Sequence, residues 1–358
     1  MGYQAQFPYR LEYDFPSVRQ LGLVQITARW ESFSNLTRLY LRGGRHTLDI
    51  TFRELRNIIL RSPGLEYLSL TATVPVICDL PEHTIHLPHL QCLSLETNSD
   101  LISHLLQAIE SVPPSAHVRI WEPAGLGESM ACLPRGISHL SPLQITPTTV
   151  LRFVSGEGLT LLSAGAKRWS DDIGKVRFRI YSMATQRADG FFNRWLYTIP
   201  THFDVSLLTT LELQIDPKVN PTILTNFLFS MPLLHTLRVD GPYWASAITA
   251  LSTIRADLML SSPCPLLTRI EVGVGNLLWD YLAPSQYGPT IQPIAEGLRE
   301  RFVSLGYPLQ TLVLSGSFSK SVTKHFKPYV VEIITAVDGD MVGQRYRMDN
   351  MTDVSVSD

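Results

Sequence analysis

The residues of this sequence that could do chemistry fall into a few short clusters. The first, "GESMA" from Gly127 to Ala131, approximates the G-x-S-x-[GA] turn that exposes a nucleophilic serine. Ser129 would be that nucleophile, but the turn needs a strand directly before the serine. Here "EPAGL" separates Ser129 from the nearest strand-like stretch, Val118 to Trp121. We therefore predict a surface loop and no catalytic serine.

The second cluster, "CDLPEHTIHLPHLQC", places His83, His86 and His89 between Cys78 and Cys92. Imidazoles and thiolates are the side chains that bind zinc. The stretch lacks the paired C-x2-4-C spacing of a structural zinc site, and Cys92 falls in a predicted strand. We predict ordinary loop histidines, with no bound metal and no cofactor.

Three weaker signals complete the search for chemistry. Gly273-Val-Gly275 is a lone G-x-G that continues into neither a dinucleotide fingerprint nor a Walker motif, so it predicts a strand end. Asp171 and Asp172 have no spaced carboxylate partners and predict a solvated loop. The run "KSVTKHFKPY", 320–329, is basic enough to touch phosphate, but such runs are usually solvated. We predict that the protein is not an enzyme.

The composition narrows the function classes further. A net charge of −2 and only 17% charged residues argue against bulk attraction to nucleic acid or anionic membrane. No window of about 18 uncharged apolar residues predicts a membrane span, and the first fifteen residues contain no apolar run typical of a signal peptide. The four cysteines form no CxxC pair, which indicates buried or free thiols. We expect a cytoplasmic or nuclear protein.

The dominant feature of the sequence is a repeat. "SPGLEYLSL" (Ser62 to Leu70) and "LPHLQCLSL" (Leu87 to Leu95) share the spacing L-x-x-L-x-L, and copies recur at intervals of 25 residues in this region. With other aliphatic residues allowed, the pattern begins at Val18, Leu36, Leu65, Leu90, Ser115, Leu140, Ile173, Leu208, Leu234, Leu267 and Leu309. Missing such a repeat would misassign the whole fold.

The spacing predicts a stack of strands with helices between them. Alternate side chains of a strand face opposite sides, so the second and third leucines share one buried face. Helical stretches follow several copies, as in "TFRELRNIILR" (Thr51 to Arg61), a stretch with Ser99 as N-cap, and one that begins at Asn220-Pro221. Two longer stretches, 244–260 and 289–306, also favour helices.

These patterns predict an α/β leucine-rich-repeat solenoid, or horseshoe, with a parallel concave sheet and helices on the convex side. Residues 1–14 would form an N-terminal segment, residues 15–337 a repeat domain of about eleven irregular units, and residues 338–358 a flexible tail.

A family resemblance follows from "SNLTRLYL", "SPGLEYLSL", "LPHLQCLSL", "SMPLLHTLRV" and "CPLLTRIEV". The chain resembles leucine-rich-repeat proteins of the ribonuclease-inhibitor-like type and, more narrowly, the repeat region of fungal F-box proteins. The resemblance implies a substrate-recognition module of a ubiquitin ligase, which would bind the Skp adaptor only if an F-box lies upstream. No F-box is found in residues 1–35, and the usual asparagine after the third leucine is clear only at Asn98. The alternatives are a repeat scaffold unrelated to ubiquitin, or an enzyme or an enzyme-activating repeat protein.

The residues that the leucine pattern leaves free predict where a protein partner would bind. The candidate concave-face residues are Arg38, Tyr40, Tyr67, His117, Arg119, Trp121, Lys175, Arg177, Arg179, Tyr181 and Arg238. Arginine, tryptophan and tyrosine are enriched in interface hot spots, and a basic aromatic surface suits an acidic or phosphorylated peptide. The alternative is that the long side chains only cover neighbouring apolar surface.

Overall fold

The protein has a mixed α/β architecture built on one large sheet. The computed structural model describes residues 9–11, 17–43, 50–72, 84–122, 132–134, 137–154, 158–162, 176–182, 189–214, 219–240, 244–252, 263–273, 288–306, 308–315 and 325–336. The strands are β1 (Tyr9–Leu11), β2 (Gln20–Val24), β3 (Ile26–Ala28), β4 (Arg38–Arg42), β5 (Tyr67–Thr71), β6 (Ile85–His86), β7 (Cys92–Glu96), β8 (Ile109–Ser111), β9 (His117–Glu122), β10 (Val150–Val154), β11 (Gly158–Leu162), β12 (Val176–Ser182), β13 (Thr210–Gln214), β14 (Thr236–Asp240), β15 (Arg269–Gly273), β16 (Leu309–Ser315) and β17 (Val330–Ala336). The helices are α1 (Phe52–Leu60), α2 (Ser99–Ala108), α3 (Asp189–His202), α4 (Pro221–Phe229), α5 (Trp244–Ser252) and α6 (Gly288–Leu305).

Thirteen of these strands form a single sheet in the order β17-β16-β15-β14-β13-β10-β11-β12-β9-β7-β5-β4-β2. All neighbouring pairs are parallel except the two made by β11, which runs antiparallel to β10 and to β12. Two short parallel pairs, β1 with β3 and β6 with β8, lie outside this sheet. The parallel sheet with intervening helices agrees with the predicted class, and its closure into a horseshoe stays a prediction.

The leucine pattern supplies the core of the sheet, as its period of two requires. In β5, Leu68 and Leu70 are at most 1% exposed, while the residues between and beside them are only half-buried. The first leucine of the same copy, Leu65, is fully buried as well. One strand cannot bury its leucines alone, so each unit depends on the next for its core.

The helices begin where the sequence offers caps. The Thr51 side chain accepts a hydrogen bond from the Glu54 backbone N–H while Glu54 accepts one from the Thr51 N–H, which makes a capping box. Asn220 caps α4, whose first residue is Pro221, as predicted. The predicted cap at Ser99 is wrong by one residue, because the Asn98 side chain accepts the hydrogen bond from the Leu101 N–H.

One tight turn recurs directly before the sheet strands. In each case the backbone N–H of the fourth residue donates to the carbonyl of the first, as Leu65 N does to Ser62 O over 3.0 Å. The turns with this bond span residues 62–65, 87–90, 113–116, 146–149, 205–208, 231–234, 264–267 and 326–329. In the turns 62–65, 87–90, 205–208, 231–234 and 264–267, the third residue lies three residues before the first residue of its strand.

The copy predicted at Leu140 does not form a strand of the sheet, so this prediction is wrong. Ser141–Leu143 is a short 3-10 helix with a proline near its start, and a proline has no N–H to donate to a neighbouring strand. The chain joins the sheet ten residues later at β10, then reverses through β11 before β12 pairs with β9. The strictly parallel order expected from the repeat is therefore interrupted in the middle of the sheet.

Candidate protein-binding face

One face of the 13-stranded sheet is formed by the side chains that alternate with the buried leucines, and we call it the polar face. In β4, Arg38, Tyr40 and Arg42 are exposed, while Leu39 and Leu41 are buried. The predicted concave-face residues of the described strands occupy these alternate positions.

The strand register aligns one residue from each strand into a line across the polar face, which we call the central row. Its members are Gly22, Tyr40, Ser69, Ser94, Arg119, Arg179, Thr160, Arg152, Glu212, Arg238, Glu271, Val313 and Ile334. The row is uncharged from β2 to β7, carries two adjacent arginines in the middle, alternates in charge from β10 to β15, and ends in aliphatic residues.

The N-terminal part of the polar face presents aromatic and basic groups to solvent. The guanidinium carbon of Arg38 lies 4.4 Å from the centroid of the Tyr67 ring, a cation–π contact between β4 and β5. The Tyr67 hydroxyl donates a 2.7 Å hydrogen bond to Gln91 Oε1, and Tyr40 remains 37% exposed. These contacts hold Arg38 and Tyr67 in place while leaving the surface open.

The middle of the face brings together residues that lie far apart in sequence. Register pairs Arg119 with Arg179 and Trp121 with Tyr181, across β9 and β12. The sequence placed these four residues on one face through the leucine pattern, but it did not show which of them lie beside one another. The side chains of Arg177, Arg179 and Tyr181, and the whole of Lys175, lie outside the described residues.

Cys92 sits in β7 beside this middle region. Burial raises the pKa of its thiol, and the nearby Arg119 guanidinium acts in the opposite direction. The thiol is therefore sensitive to the charge of its neighbour. None of the described cysteines, Cys92, Cys132 and Cys264, is part of a disulfide.

The C-terminal part of the polar face contains a chain of ion pairs, which we call the charge ladder. Its members are Arg152, Glu212, Arg238, Glu271 and Arg269, one or two from each of four neighbouring strands. Arg152 Nε donates to Glu212 Oε2 over 2.6 Å, and Arg238 donates from Nη1 to the other oxygen of Glu212. Arg238 Nε lies 2.8 Å from Glu271 Oε2, and Arg269 Nε lies 2.5 Å from Glu271 Oε1.

The charge ladder is buried on β10 and β13, whereas its arginines on β14 and β15 are partly exposed. The side chains of Arg152 and Glu212 are each 4% exposed and that of Glu271 is 7% exposed, whereas Arg238 and Arg269 reach 44% and 40%. Burial alone would lower the pKa of Arg238, but the charges and hydrogen bonds of Glu212 and Glu271 hold it above its ordinary value. A buried charge needs a partner, and the alternating signs of the ladder supply one at each step.

Not every position on the polar face is exposed to a partner. The period of two that places Arg238 on this face also places Glu212 and Asp240 there, and they are only 3% and 9% exposed. Sequence reasoning also missed Arg152, because β10 does not follow the repeat. Arg269 and Glu271 could have been found, since they alternate with Ile270 and Val272 in the copy that begins at Leu267.

The other chemical candidates do not assemble into a site in the described part of the chain. His86 Nε2 lies 3.0 Å from Glu110 Oε2, with both side chains more than half exposed, and Nδ1 of the same ring lies 3.3 Å from Ser111 Oγ. No group of three or more His, Cys, Asp or Glu side chains that could hold a metal occurs among the residues that the structure covers. The candidates that lie outside the described residues are Cys78, His83, Ser129, Asp171, Asp172, Gly275 and residues 320–324 of the basic run.

Comparison with known proteins adds little to this geometry. No protein-family model and no curated protein matches the chain. Among solved structures, the chain is similar to the leucine-rich repeat-containing protein LegL7 from Legionella pneumophila, with 16% identity over 94% of this chain and 92% of that one. The TM-score is 0.32, which is too low to carry an argument. None of the helices in the described ranges is long and apolar enough to cross a bilayer.

Proposed function

We propose that this protein binds another protein through the N-terminal part of its polar face, from β4 to β9 together with β12, and that it catalyses no reaction. The observation that supports this best is the open pair of Arg38 and Tyr67, fixed by a cation–π contact and a hydrogen bond beside the exposed Tyr40. Ordered arginine and tyrosine side chains lose little freedom on binding and are typical of interface hot spots. Several parallel strands hold them at fixed spacing.

The charge of this surface favours an acidic or phosphorylated segment as the partner. Arg38 and Arg42 lie on β4, and Arg119 lies beside Arg179 in the register of the middle strands. Guanidinium groups bind carboxylates and phosphates through paired hydrogen bonds. We leave Arg238 out of the proposed surface, because Glu212 and Glu271 already neutralise it.

Charge reversal of the surface tests this proposal. A variant carrying Arg38→Glu, Arg119→Glu and Arg179→Glu is compared with the wild-type chain by affinity capture from cells and quantitative mass spectrometry. Proteins that bind the polar face should fall to a small fraction of their wild-type recovery. Direct titration of a fluorescent Glu-rich peptide, with and without phosphoserine, then measures the affinity for an acidic segment.

The matched control reverses three exposed basic residues elsewhere, Arg194, Arg299 and Lys327. The control carries the same change of net charge, so a general electrostatic effect would appear in both variants. The proposal is refuted if the polar-face variant recovers the same proteins in the same amounts as the control. Circular dichroism of both variants confirms that each remains folded.

The resemblance to F-box proteins suggests that such binding selects substrates for a ubiquitin ligase. This part of the proposal rests on the sequence alone and requires an F-box on the protein as it exists in the cell. Co-purification of the Skp adaptor and a cullin with the full-length protein would support it. If the polar-face partners are captured without either component, a binding scaffold unrelated to ubiquitin is the function.

A further inference from the structure

Two like charges lie side by side in the central row, between β9 and β12. Arg119 and Arg179 are registered partners there, and we call them the arginine pair. From β10 to β15, by contrast, each arginine of the same row lies beside a glutamate of the next strand. Neighbouring strands lie about 4.8 Å apart, and like charges directly opposite each other on such strands repel. The row therefore lacks at the arginine pair the negative charge that it supplies farther along.

Both positions of the arginine pair belong to the polar face. The two residues that flank Arg119 in β9 are fully buried, and so are Phe178 and Ile180, which flank position 179 in β12. Because alternate residues of a strand face opposite sides, positions 119 and 179 lie on the face opposite the core. Arg119 is half-buried and forms no ion pair with any carboxylate of the described residues. Its charge is thus available to a partner.

A phosphate monoester fits the arginine pair better than a single carboxylate does. It carries a charge of about −1.5 to −2 at pH 7, so one group can neutralise two guanidiniums. Its three terminal oxygens accept hydrogen bonds, and arginine binds phosphate through paired ones. Ser94 on β7 is the registered neighbour of Arg119 and is half-buried, so its hydroxyl lies one strand from the pair. The pair and its neighbour therefore match a phosphate in charge and in donors.

We propose that the arginine pair binds the phosphate of a phosphorylated side chain in the protein partner of the polar face. This inference rests on the proposed function and narrows its acidic or phosphorylated segment to a phosphorylated one. A chain with a net charge of −2 has little bulk attraction for a polyanion, which favours a single phosphate on a protein over a nucleic acid. Arg38 and Arg42 lie on β4, three strands and about 14 Å from β9, and contact other parts of the segment.

The test measures how much the phosphate adds to binding. Two fluorescent Glu-rich peptides are identical except at one central residue, which is phosphoserine in the first and glutamate in the second. Their Kd values for the full chain are measured by fluorescence anisotropy. The wild-type chain should bind the phosphoserine peptide at least about tenfold more tightly, because hydrogen bonds to a charged group have effects of this size.

Two variants locate this preference. Replacing both members of the arginine pair, Arg119→Gln and Arg179→Gln, should bring the ratio of the two Kd values close to one. The matched control, Arg38→Gln and Arg42→Gln, removes the same number of charges from the polar face. It should weaken the binding of both peptides by a similar factor and keep the ratio. Circular dichroism verifies that both variants are folded.

The outcomes separate this inference from the proposed function. If the wild-type chain binds both peptides equally tightly, or if the control lowers the ratio as far as the arginine-pair variant does, the phosphate site is refuted and an acidic partner stands. If neither peptide binds, the acidic partner and the phosphate site are refuted together. An oligothymidylate of about ten nucleotides that binds more tightly than the phosphoserine peptide, and only when the arginine pair is intact, would make a nucleic acid the occupant and overturn the inference.

The Cys92 thiol reports whether the phosphate reaches Arg119. The Arg119 guanidinium opposes the effect of burial on the pKa of this thiol, so a phosphate that neutralises the guanidinium should raise that pKa. Iodoacetamide labelling of Cys92 across a pH series, with saturating phosphoserine peptide, should show the midpoint of the rate profile at higher pH than without peptide. The glutamate peptide at saturation should move the midpoint less. A phosphoserine peptide that slows labelling equally at every pH, without moving the midpoint, overturns the inference.

Discussion

The two ends of the polar face share one backbone geometry but differ in what their central row does. From β4 to β7 the row carries Tyr40, Ser69 and Ser94, which stay exposed or half-buried. At β10 and β13 the same row carries Arg152 and Glu212, which are almost fully buried against each other. The leucine pattern places certain positions of each repeat on the solvent side of the sheet. A charged residue at such a position is therefore not, by that fact alone, a binding residue. Where opposite charges meet across strands, they neutralise one another and leave less charge for a partner.

Removing one member of the charge ladder should have the largest effect. Glu212→Ala removes the carboxylate that pairs with the buried Arg152, and breaking a buried pair in this way costs about 3–5 kcal/mol of the free energy of unfolding. Urea denaturation followed by circular dichroism measures the loss. Ser69→Ala, at the equivalent position of the N-terminal part, should change stability by less than about 0.5 kcal/mol.

A double substitution makes this comparison sharper. Replacing Arg152 by Met and Glu212 by Leu removes both buried charges, and apolar residues often replace a buried pair at little cost. The double variant should be more stable than Glu212→Ala alone. A Glu212→Ala loss below about 1 kcal/mol would show that water screens the pair and that the two ends of the face do not differ.

A second comparison concerns arginines that bind backbone carbonyls beside the repeats. In the C-terminal part, Arg301 is buried and donates to Pro263 O over 2.8 Å and to Cys264 O over 2.7 Å. In the N-terminal part, Arg61 is exposed and donates to Glu31 O over 2.6 Å. Arg301→Met should cost about 1–3 kcal/mol, because it removes two hydrogen bonds that a charged donor makes to buried carbonyls.

Arg61→Met is the matched variant and should cost less, because water can replace the lost donor at an exposed carbonyl. Both variants are measured by the same urea denaturation. Equal losses would show that burial does not distinguish the two contacts, and a larger loss at Arg61 would reverse the comparison.

The smallest predicted effect is on thiol reactivity. Burial raises the pKa of Cys264 to about 12, so at pH 8 its thiol stays protonated and unreactive in the folded chain. Cys92 should react faster, although burial also raises its pKa. Arg119→Ala removes a charge that favours the Cys92 thiolate, so its pKa should rise further and its rate at pH 8 should fall a few-fold.

Iodoacetamide labelling followed by peptide mapping measures each cysteine separately. The reactivity of Cys264 should be unchanged by Arg119→Ala, which makes it the internal control. Faster labelling of Cys92 in that variant would contradict the assigned effect of Arg119. Rapid labelling of Cys264 in the folded chain would contradict its burial.

Much of the local structure could be predicted from the sequence. The alternation around Leu68 and Leu70 and the start of α4 at Asn220 follow from spacing and capping, which involve neighbouring residues only. The copy at Leu140 matched the pattern yet formed no strand, because Pro142 stands where the strand would need a donor. A spacing of leucines cannot show whether a segment finds an open strand to pair with.

The candidate site could also be predicted from the sequence only in part. The polar-face positions of Arg38, Tyr67 and Arg119 were available from the period of two. Which of these residues lie beside one another depends on the strand register. Whether a given part of the polar face is exposed or buried depends on the register as well. Val313 in β16 illustrates the limit, since it occupies the central row and is 3% exposed without any charge to pair.

The sequence by itself determined which side chains enter the core, because a strand alternates its faces with a period that neighbouring residues fix. Only the tertiary structure decided that Arg152 meets Glu212, 60 residues later in the chain, and that β11 runs against its neighbours. Those pairings depend on which strand edges come together, and that is settled by the free energy of the whole sheet. The tertiary structure likewise determines which part of the polar face is exposed to a partner and which part has its charges already paired.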